Sequence, residues 1–541
     1  MFNFSSNSSV IFNMKLPKIN LPLLIISLGI IFSLYLLSRV PEDIYFSGDA
    51  GLKALLAKQF SSGKLNFDLD LSVPSWVRNL WDNGLYPFEP PFSYKISNRY
   101  YITFPFTFPL ITAPFHALFG YRGFYIVPLL STWIIWFNFY RICQFFKISV
   151  LTTSIGITTL IFASPLTMYS AMYWEHTLAV SLAFAGLVII LSKGEEGFTQ
   201  KDALVSGILI GLSVWFRPEF LALVAILIPL ALSSYKIKLG KISIINQHKI
   251  LFIISLLATV SCFFIINKLI YNHPLGAHAL QVVEEFSLQE RLSKAHRIFG
   301  RLWKNFREYF PIVYFTIIFT GLSVFYKSIK LTAAMKKIVL ISIPFIFLVP
   351  ILLPSDGGKQ WGPRFLLILI PLLSLLAAFL LESTLSIRQF GIKYISTGIF
   401  TALFMIGVYA NTFMGINYSY FTGNTEAIDI RNFLRQDDHK IVAVAHQYIS
   451  QSFEAAFKNK LFFLTKNLDD TSKLGLALNE QGYDNFVYVC ASYDPCFSSP
   501  TIPSQINISA TDKLLRVQLK EVKKNKKYII QEAEIVQVKD N

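Results

Sequence analysis

The sequence predicts a polytopic α-helical membrane protein, with about eleven transmembrane helices and a small C-terminal α/β extracytoplasmic domain. Three observations predict it. Of 541 residues, 53% are hydrophobic and only 15% are charged, at a mean hydropathy of +0.49; soluble chains are about a quarter charged. Apolar runs close to the roughly 18–20 residues that cross a bilayer recur along the chain. Lysine and arginine gather in alternate connections, as they do in loops held on the cytoplasmic side. The net charge of +16 therefore reads as a topology signal and as attraction to anionic membrane lipids. No nucleic-acid motif is present, and nucleic acid is not an expected partner.

The first run, 21–40, is as long as a bilayer is thick and has no small-residue cleavage signature after it. It predicts a retained anchor rather than a signal peptide. Lys15 and Lys18 precede it and put the N-terminus in the cytoplasm. Residues 41–123 form a long outer loop rich in Pro, Tyr, Phe and Trp, as in "WVRNLWDNGLYPFEPPFSYK". Within it, 104–120 ("FPFTFPLITAPFHALFG") is apolar but interrupted by prolines, which predicts interfacial helices rather than a clean crossing.

Further crossings are expected at 124–142, 151–170, 177–192, 203–216, 219–235, 250–270, 311–326, 338–353, 365–381 and 394–413. Arg141 and Lys147; Lys236, Lys238, Lys241 and Lys249; Lys327, Lys330, Lys336 and Lys337; and Arg388 and Lys393 then all fall inside. Residues 271–310 form a second outer loop, charged and helical in pattern. Residues 1–416 are thus a transmembrane domain with its N-terminus in the cytoplasm.

Residues 417–541 differ. "KIVAVAH", "KLFFLT" and "DNFVYVC" read as short buried strands, with "ISQSFEAAFK" and "DTSKLGLALNEQG" as helices between them. This alternation predicts the α/β domain, placed outside the cytoplasm by the span count. Of four cysteines, Cys143 and Cys262 fall in apolar spans, while Cys490 and Cys496 stand close together in "CASYDPC". That pair can bridge in an oxidising compartment. "NIS" at 507–509 fits a glycosylation acceptor, a short motif common by chance.

Polar residues at a membrane edge are costly and are functional candidates. The predicted topology brings Asp49, Glu175, His176, Arg217, Glu219, Lys359, Trp361 and Arg364 to one outer surface from separate parts of the sequence. Each has a structural reading too. Asp49, in "YFSGDAGLK", suits the cap of the helix that follows it; the cap and a catalytic role are compatible. Glu175 and His176, in "YWEHT" at a span end, are expected catalytic residues, with a solvated turn as the structural reading; one Glu and one His make no metal signature. Arg217 and Glu219 flank Pro218 and can neutralise each other near lipid. In "GGKQWGPRF", Lys359 and Arg364 can face a phosphate, or Trp361 and Arg364 can anchor the interface. His273 and His278, in "YNHPLGAH", border the second outer loop, which can gate a site. Asp68, Asp70 and Asp82 read as solvated loop carboxylates.

An outward carboxylate, several cations and an apolar body suit sugar transfer from a polyprenyl-phosphate carrier. The leaving phosphate needs cations and the acceptor hydroxyl needs a base. Asp49 is the expected base. Arg217, Lys359 and Arg364 are the expected phosphate contacts. A base opposite the leaving group implies inversion.

The same stretches carry a resemblance. "SGDAGLK" after the first span, a first outer loop ending "APFHALFG", "YWEHT", "WFRPEF" and "QWGPRFLLILIP" together resemble the GT-C membrane glycosyltransferases. These include protein O-mannosyltransferases, aminoarabinose transferases and related bacterial enzymes. The resemblance covers roughly residues 20–415; the tail is similar only in position and pattern. It implies a lipid-phosphate sugar donor, a glycan, lipid or protein acceptor, a bacterial inner-membrane location, and the catalytic Asp at position 49. Some relatives use a divalent metal. Here only Glu175 and His176 stand as further ligands to it, and no other cofactor is implied. The alternative is a lipid or sugar transporter or flippase, which would show repeated halves and midplane polar groups; neither is present. A non-catalytic assembly protein would leave Asp49 dispensable. An acyl or phosphoethanolamine transferase would want a nucleophile set or a metal cluster.

Overall fold

The computed structural model describes residues 20–193, 197–233, 244–278, 280, 287–326, 329–353, 355, 357–387, 390–417, 425–491, 505–509 and 514–538. Lys15, Lys18, Lys236, Lys238, Lys241, Lys327, Arg388 and Cys496 lie outside them.

Apolar runs in the sequence become helices throughout the first three quarters of the chain. The first is α1 (Leu21–Arg39), entered through Pro22, whose missing N–H costs nothing in a first turn. Next come α2 (Gly48–Ser61), α3 (Ser75–Leu80), a hairpin of β1 (Ser93–Ile96) and β2 (Arg99–Ile102), and α4 (Thr107–Phe119). Then follow α5 (Ile126–Phe145), α6 (Val150–Phe162), α7 (Leu166–Ser170), α8 (His176–Ser192), α9 (Gln200–Phe216), α10 (Leu221–Ser233) and α11 (Ile244–Tyr271). After them stand α12 (Leu288–Tyr309), α13 (Ile312–Phe325), α14 (Ala333–Leu352), α15 (Leu369–Leu385), α16 (Phe390–Val408) and α17 (Met414–Ile416).

Among the described residues five helical stretches are long and apolar enough to cross a membrane, Leu21–Arg39, Thr107–Phe145, Gln247–Tyr271, Ala333–Leu352 and Phe390–Ile416, and the bent pair Gln289–Tyr309 and Ile312–Phe325 makes a sixth if it counts as one span. Shorter apolar helices cover Val150–Phe162, His176–Ser192, Pro218–Leu232 and Leu369–Leu385. With these helices the chain is an integral membrane protein.

Two expectations change. The run 151–170 is not one helix: α6 ends at Phe162 and α7 begins after Pro165, because proline blocks helix continuation on its N-terminal side. The segment 104–120 is less broken than its prolines suggest. Pro109 sits in the first turn of α4, and a 3₁₀ turn at Gly120–Tyr125 leads on into α5. Helix α15 is buried all round, from Leu369 to Leu381, and forms the centre of the bundle. By contrast, α16 exposes Tyr394, Ile395 and Met405.

The tail contains α18 (Thr425–Gln436), β3 (Ile441–Val444), α19 (Gln447–Ser452), β4 (Leu461–Leu464), α20 (Leu468–Glu480), β5 (Asn485–Ala491), β6 (Gln505–Ser509), β7 (Leu514–Lys524) and β8 (Tyr528–Val538). The six strands form one sheet in the order β4-β3-β5-β8-β7-β6. The first three are parallel and the rest antiparallel. The expected parallel α/β half is present; the antiparallel half extends it. Cys490 is disulfide-bonded.

One face of the sheet packs on α18 and α19 around Ile430, Val442, Val487 and Ile530, and the other shares its core with the first loop. Leu52, Trp81, Tyr86 and Tyr100 pack in one buried cluster with Phe463, Tyr488 and Val517. The Trp81 indole donates to the Phe462 carbonyl at 3.0 Å. Trp76 stacks on Phe463 and Phe88 on Phe457. These contacts seat α19 against the start of α2.

Candidate active site

Helix α2 begins at Gly48, with Ser47 as its extended N-cap residue. Asp49 therefore sits inside the first turn, not at the cap. The glycines beside it serve close approach. A Cβ on Gly51 would lie 1.9 Å from the Gln451 carbonyl oxygen, and one on Gly48 would lie 2.3 Å from the Gln451 side-chain oxygen. At Gly51, where the clash is with backbone, only glycine lets α19 rest on α2.

Asp49 Oδ2 lies 3.4 Å from Arg364 Nη1, with side chains 18% and 10% exposed. The Arg364 guanidinium also stands over the Trp174 and Phe365 rings, at 5.4 and 4.8 Å from their centroids. The Trp174 indole donates to Ser47 Oγ at 3.1 Å, which ties the "YWEHT" turn to the start of α2.

One helical turn after Asp49, Lys53 is fully buried. Its ammonium lies 2.6 Å from Glu175 Oε2. Glu175 Oε1 accepts from Arg217 Nη1 at 2.9 Å, and Arg217 Nε donates to Glu219 Oε1 at 2.7 Å. The chain Lys53–Glu175–Arg217–Glu219 thus balances two cations against two anions, as buried charge requires. Burial works against the Glu175 charge, but Lys53 and Arg217 outweigh it and hold the carboxyl down at about 2. Burial lowers the Lys53 pKa, and Glu175 opposes that shift. Lys359 stands over the Phe46 ring at 4.6 Å; burial, then Lys527, brings its pKa down to about 8.

Asp49, Arg217, Glu219, Lys359 and Arg364 line one cavity of about 680 Å³. Leu221, Leu275, Ile351 and Leu352 form its apolar side, while Tyr448, Gln451, Lys527 and Tyr528 close it from the tail. Burial, then the Asp49 charge, raises the Tyr448 pKa.

The remaining expected site residues lie elsewhere. Glu175 is buried behind the lining. His176 is 2% exposed and packs between Tyr169 and Trp174; neither ring nitrogen finds a hydrogen-bond partner among the described residues. Trp361 is buried; its carbonyl accepts from the Tyr169 hydroxyl at 2.8 Å, and its ring meets Tyr309 edge-on. His273 Nδ1 accepts from the Leu275 N–H at 3.1 Å, a local turn bond, and His278 lines the cavity in its place. Sequence reasoning missed Lys53 and the tail residues. Neither Lys53, whose partner Glu175 is 122 residues away, nor Tyr448 carries a local signal in the sequence.

Among the described residues no three His, Cys, Asp or Glu side chains gather where a metal could be held. Asp49 faces a guanidinium and Glu175 is already shared by two cations, so this donor set does not fit a divalent ion.

Beyond Glu454, which accepts from Tyr45 and Lys58 at 2.9 Å each, lies a second cavity of about 990 Å³. Its charges are largely paired, as in Lys460–Asp437 and Arg435–Asp43.

No family model and no curated protein matches the sequence. Solved structures do match. ArnT from Cupriavidus metallidurans, bound to undecaprenyl phosphate, superposes with a TM-score of 0.53 at 10% identity, over 94% of this chain and 97% of that one. The Archaeoglobus fulgidus oligosaccharyltransferase, in complex with zinc and sulfate, gives 0.52 at 9% identity, over 86% of this chain and 68% of that one. The fold is that of the GT-C membrane glycosyltransferases. At 94% coverage the match to ArnT takes in most of the tail as well as the bundle.

Proposed function

We propose that this chain transfers a sugar from a polyprenyl-phosphate-linked donor to a hydroxyl-bearing glycan, lipid or protein, with inversion and with Asp49 as general base. The reading rests on one observation: a carboxylate, Asp49, and three cations, Arg217, Lys359 and Arg364, line a cavity that is apolar on one side. The apolar side suits a lipid tail, and the cations suit its phosphate. The acceptor oxygen attacks the anomeric carbon, the bond from that carbon to the phosphate oxygen breaks, and the acceptor proton passes to Asp49. Arg364 and Lys359 take up the charge developing on the leaving phosphate. In the resting site Arg364 leans on Asp49; a bound phosphate draws it away and frees the carboxylate. Glu175 serves as the buried anion that sets Lys53 and Arg217, and His176 as aromatic packing. No step runs through a metal.

The same proposal includes eleven crossings, a cytoplasmic N-terminus and an extracytoplasmic tail from residue 417 in a bacterial inner membrane. Every short basic loop read from the sequence falls on one side in that arrangement. Reporter fusions after residue 416 that score as cytoplasmic would end it. For the chemistry, Asp49→Asn assayed in membranes with a polyprenyl-phosphate sugar is expected to lose about 10²–10⁴-fold in transfer rate while inserting normally. Wild-type rates in that variant would remove Asp49 from the role of base.

A further inference from the structure

Helix α12 (Leu288–Tyr309) lies outside the proposed chemistry and carries six Lys/Arg against two Glu. At helical spacing Arg297, Arg301, Lys304 and Arg307 share one face, while Arg291 and Lys294 turn towards the side that packs on the protein. Arg297, Arg301, Lys304 and Arg307 are exposed. Of the two acids, Glu290 is used in a capping box with Ser287. The other face buries Ala295, Ile298, Leu302 and Phe306.

Two observations set the depth of this helix relative to the bilayer. It meets α13 at a bend of 98°. When α13 runs across the membrane, α12 therefore lies along its surface. Phe299 of α12 also stacks on Phe347 of α14, with centroids 5.2 Å apart. Phe347 is 57% exposed on a membrane-crossing helix, five residues before its end at Leu352, or about 8 Å at helical rise. Phe299 thus borders lipid near the end of a span. An exposed face of four cations is costly in hydrocarbon, so it belongs at headgroup level.

We propose that α12 is an interfacial docking face for anionic phospholipid headgroups of the leaflet on the side of the C-terminal sheet. Arg291, on the inner side of the same helix, lines the 680 Å³ cavity. The contact therefore holds the phosphate plane of the bilayer level with the cavity mouth. The lipid contact does not depend on the sugar-transfer reading.

The test uses the full chain in mixed micelles of phosphatidylglycerol and phosphatidylcholine, with retained lipid counted by native mass spectrometry. The wild type is expected to retain phosphatidylglycerol in clear excess. The triple variant Arg297→Gln/Lys304→Gln/Arg307→Gln is expected to reduce that excess about tenfold, and Arg297→Lys/Arg307→Lys to keep it. Equal retention of both lipids by the wild type overturns the proposal whatever the variants do, as does an unchanged excess in the triple glutamine variant. Photoactivatable phosphatidylglycerol on the wild type is expected to label residues 291–307, and labelling elsewhere alone overturns it. Protection of α12 by dextran sulfate without a phosphatidylglycerol preference would assign the face to a soluble polyanion, and also overturns it.

Discussion

Replacing Glu175 with glutamine perturbs the charge network that anchors α2. Lys53 and Glu175 are each 1% exposed and 2.6 Å apart, so salt and water screen them little. In Glu175→Gln the volume is kept and the anion is lost. Arg217 retains Glu219 at 2.7 Å, but Lys53 is left against the Phe104 ring, 4.4 Å from its centroid. Stranding a buried charge costs about 3–5 kcal/mol. Lys53→Met does less damage, because Glu175 keeps Arg217 at 2.9 Å; about 1–3 kcal/mol is expected. The double variant should be more stable than the sum of the two losses, with a coupling of about 0.5–3 kcal/mol. Thermal unfolding of the detergent-solubilised protein, followed by tryptophan fluorescence, gives the order: wild type, then Lys53→Met, then Glu175→Gln. A Glu175→Gln protein as stable as wild type, or strict additivity in the double variant, would refute the network.

Two further predictions concern the cavity. Gly51→Ala drives a methyl into the Gln451 backbone and is expected to cost about 1–3 kcal/mol and to lower transfer, whereas Gly300→Ala, inside α12 with open space around it, should stabilise by about 0.5–1 kcal/mol; thermal unfolding of both variants checks this. Lys359 is charged below about pH 8 and neutral above it, so donor KM should rise as pH climbs through that value. Lys359→Met should show a KM raised roughly tenfold that no longer follows pH in this range, and a wild-type KM flat across pH 8 would contradict the phosphate role.

The helices were legible because a bilayer imposes a length and a polarity that the chain must show. The convergence of Asp49, Arg217, Glu219, Lys359 and Arg364 was legible for the same reason: the Lys/Arg bias sorts connections by side before any contact is known. Lys53 was not legible. In "AGLKALLAKQF" it looks solvated, and only Glu175, 122 residues away, makes its burial tolerable. His176 misled in the opposite way, since a polar pair at a span end suggests chemistry, yet only its neighbour Glu175 joins the ion network. The tail was read as a separate unit because its strands are local. Its contribution to the cavity, through Tyr448 and Gln451, rests on contacts across some four hundred residues that no local pattern carries. The β7–β8 hairpin was hidden by Lys520, Glu521, Lys523 and Lys524, which dilute the alternation of its apolar residues.

The account stands most directly on where a lipid phosphate binds. An experimental structure of the protein in a nanodisc with polyprenyl phosphate should place the phosphate within about 3 Å of the Arg364 guanidinium, with Lys359 beside it and the Asp49 carboxylate released from Arg364. A phosphate found in the second cavity beyond Glu454, with Asp49 and Arg364 still paired, would contradict it.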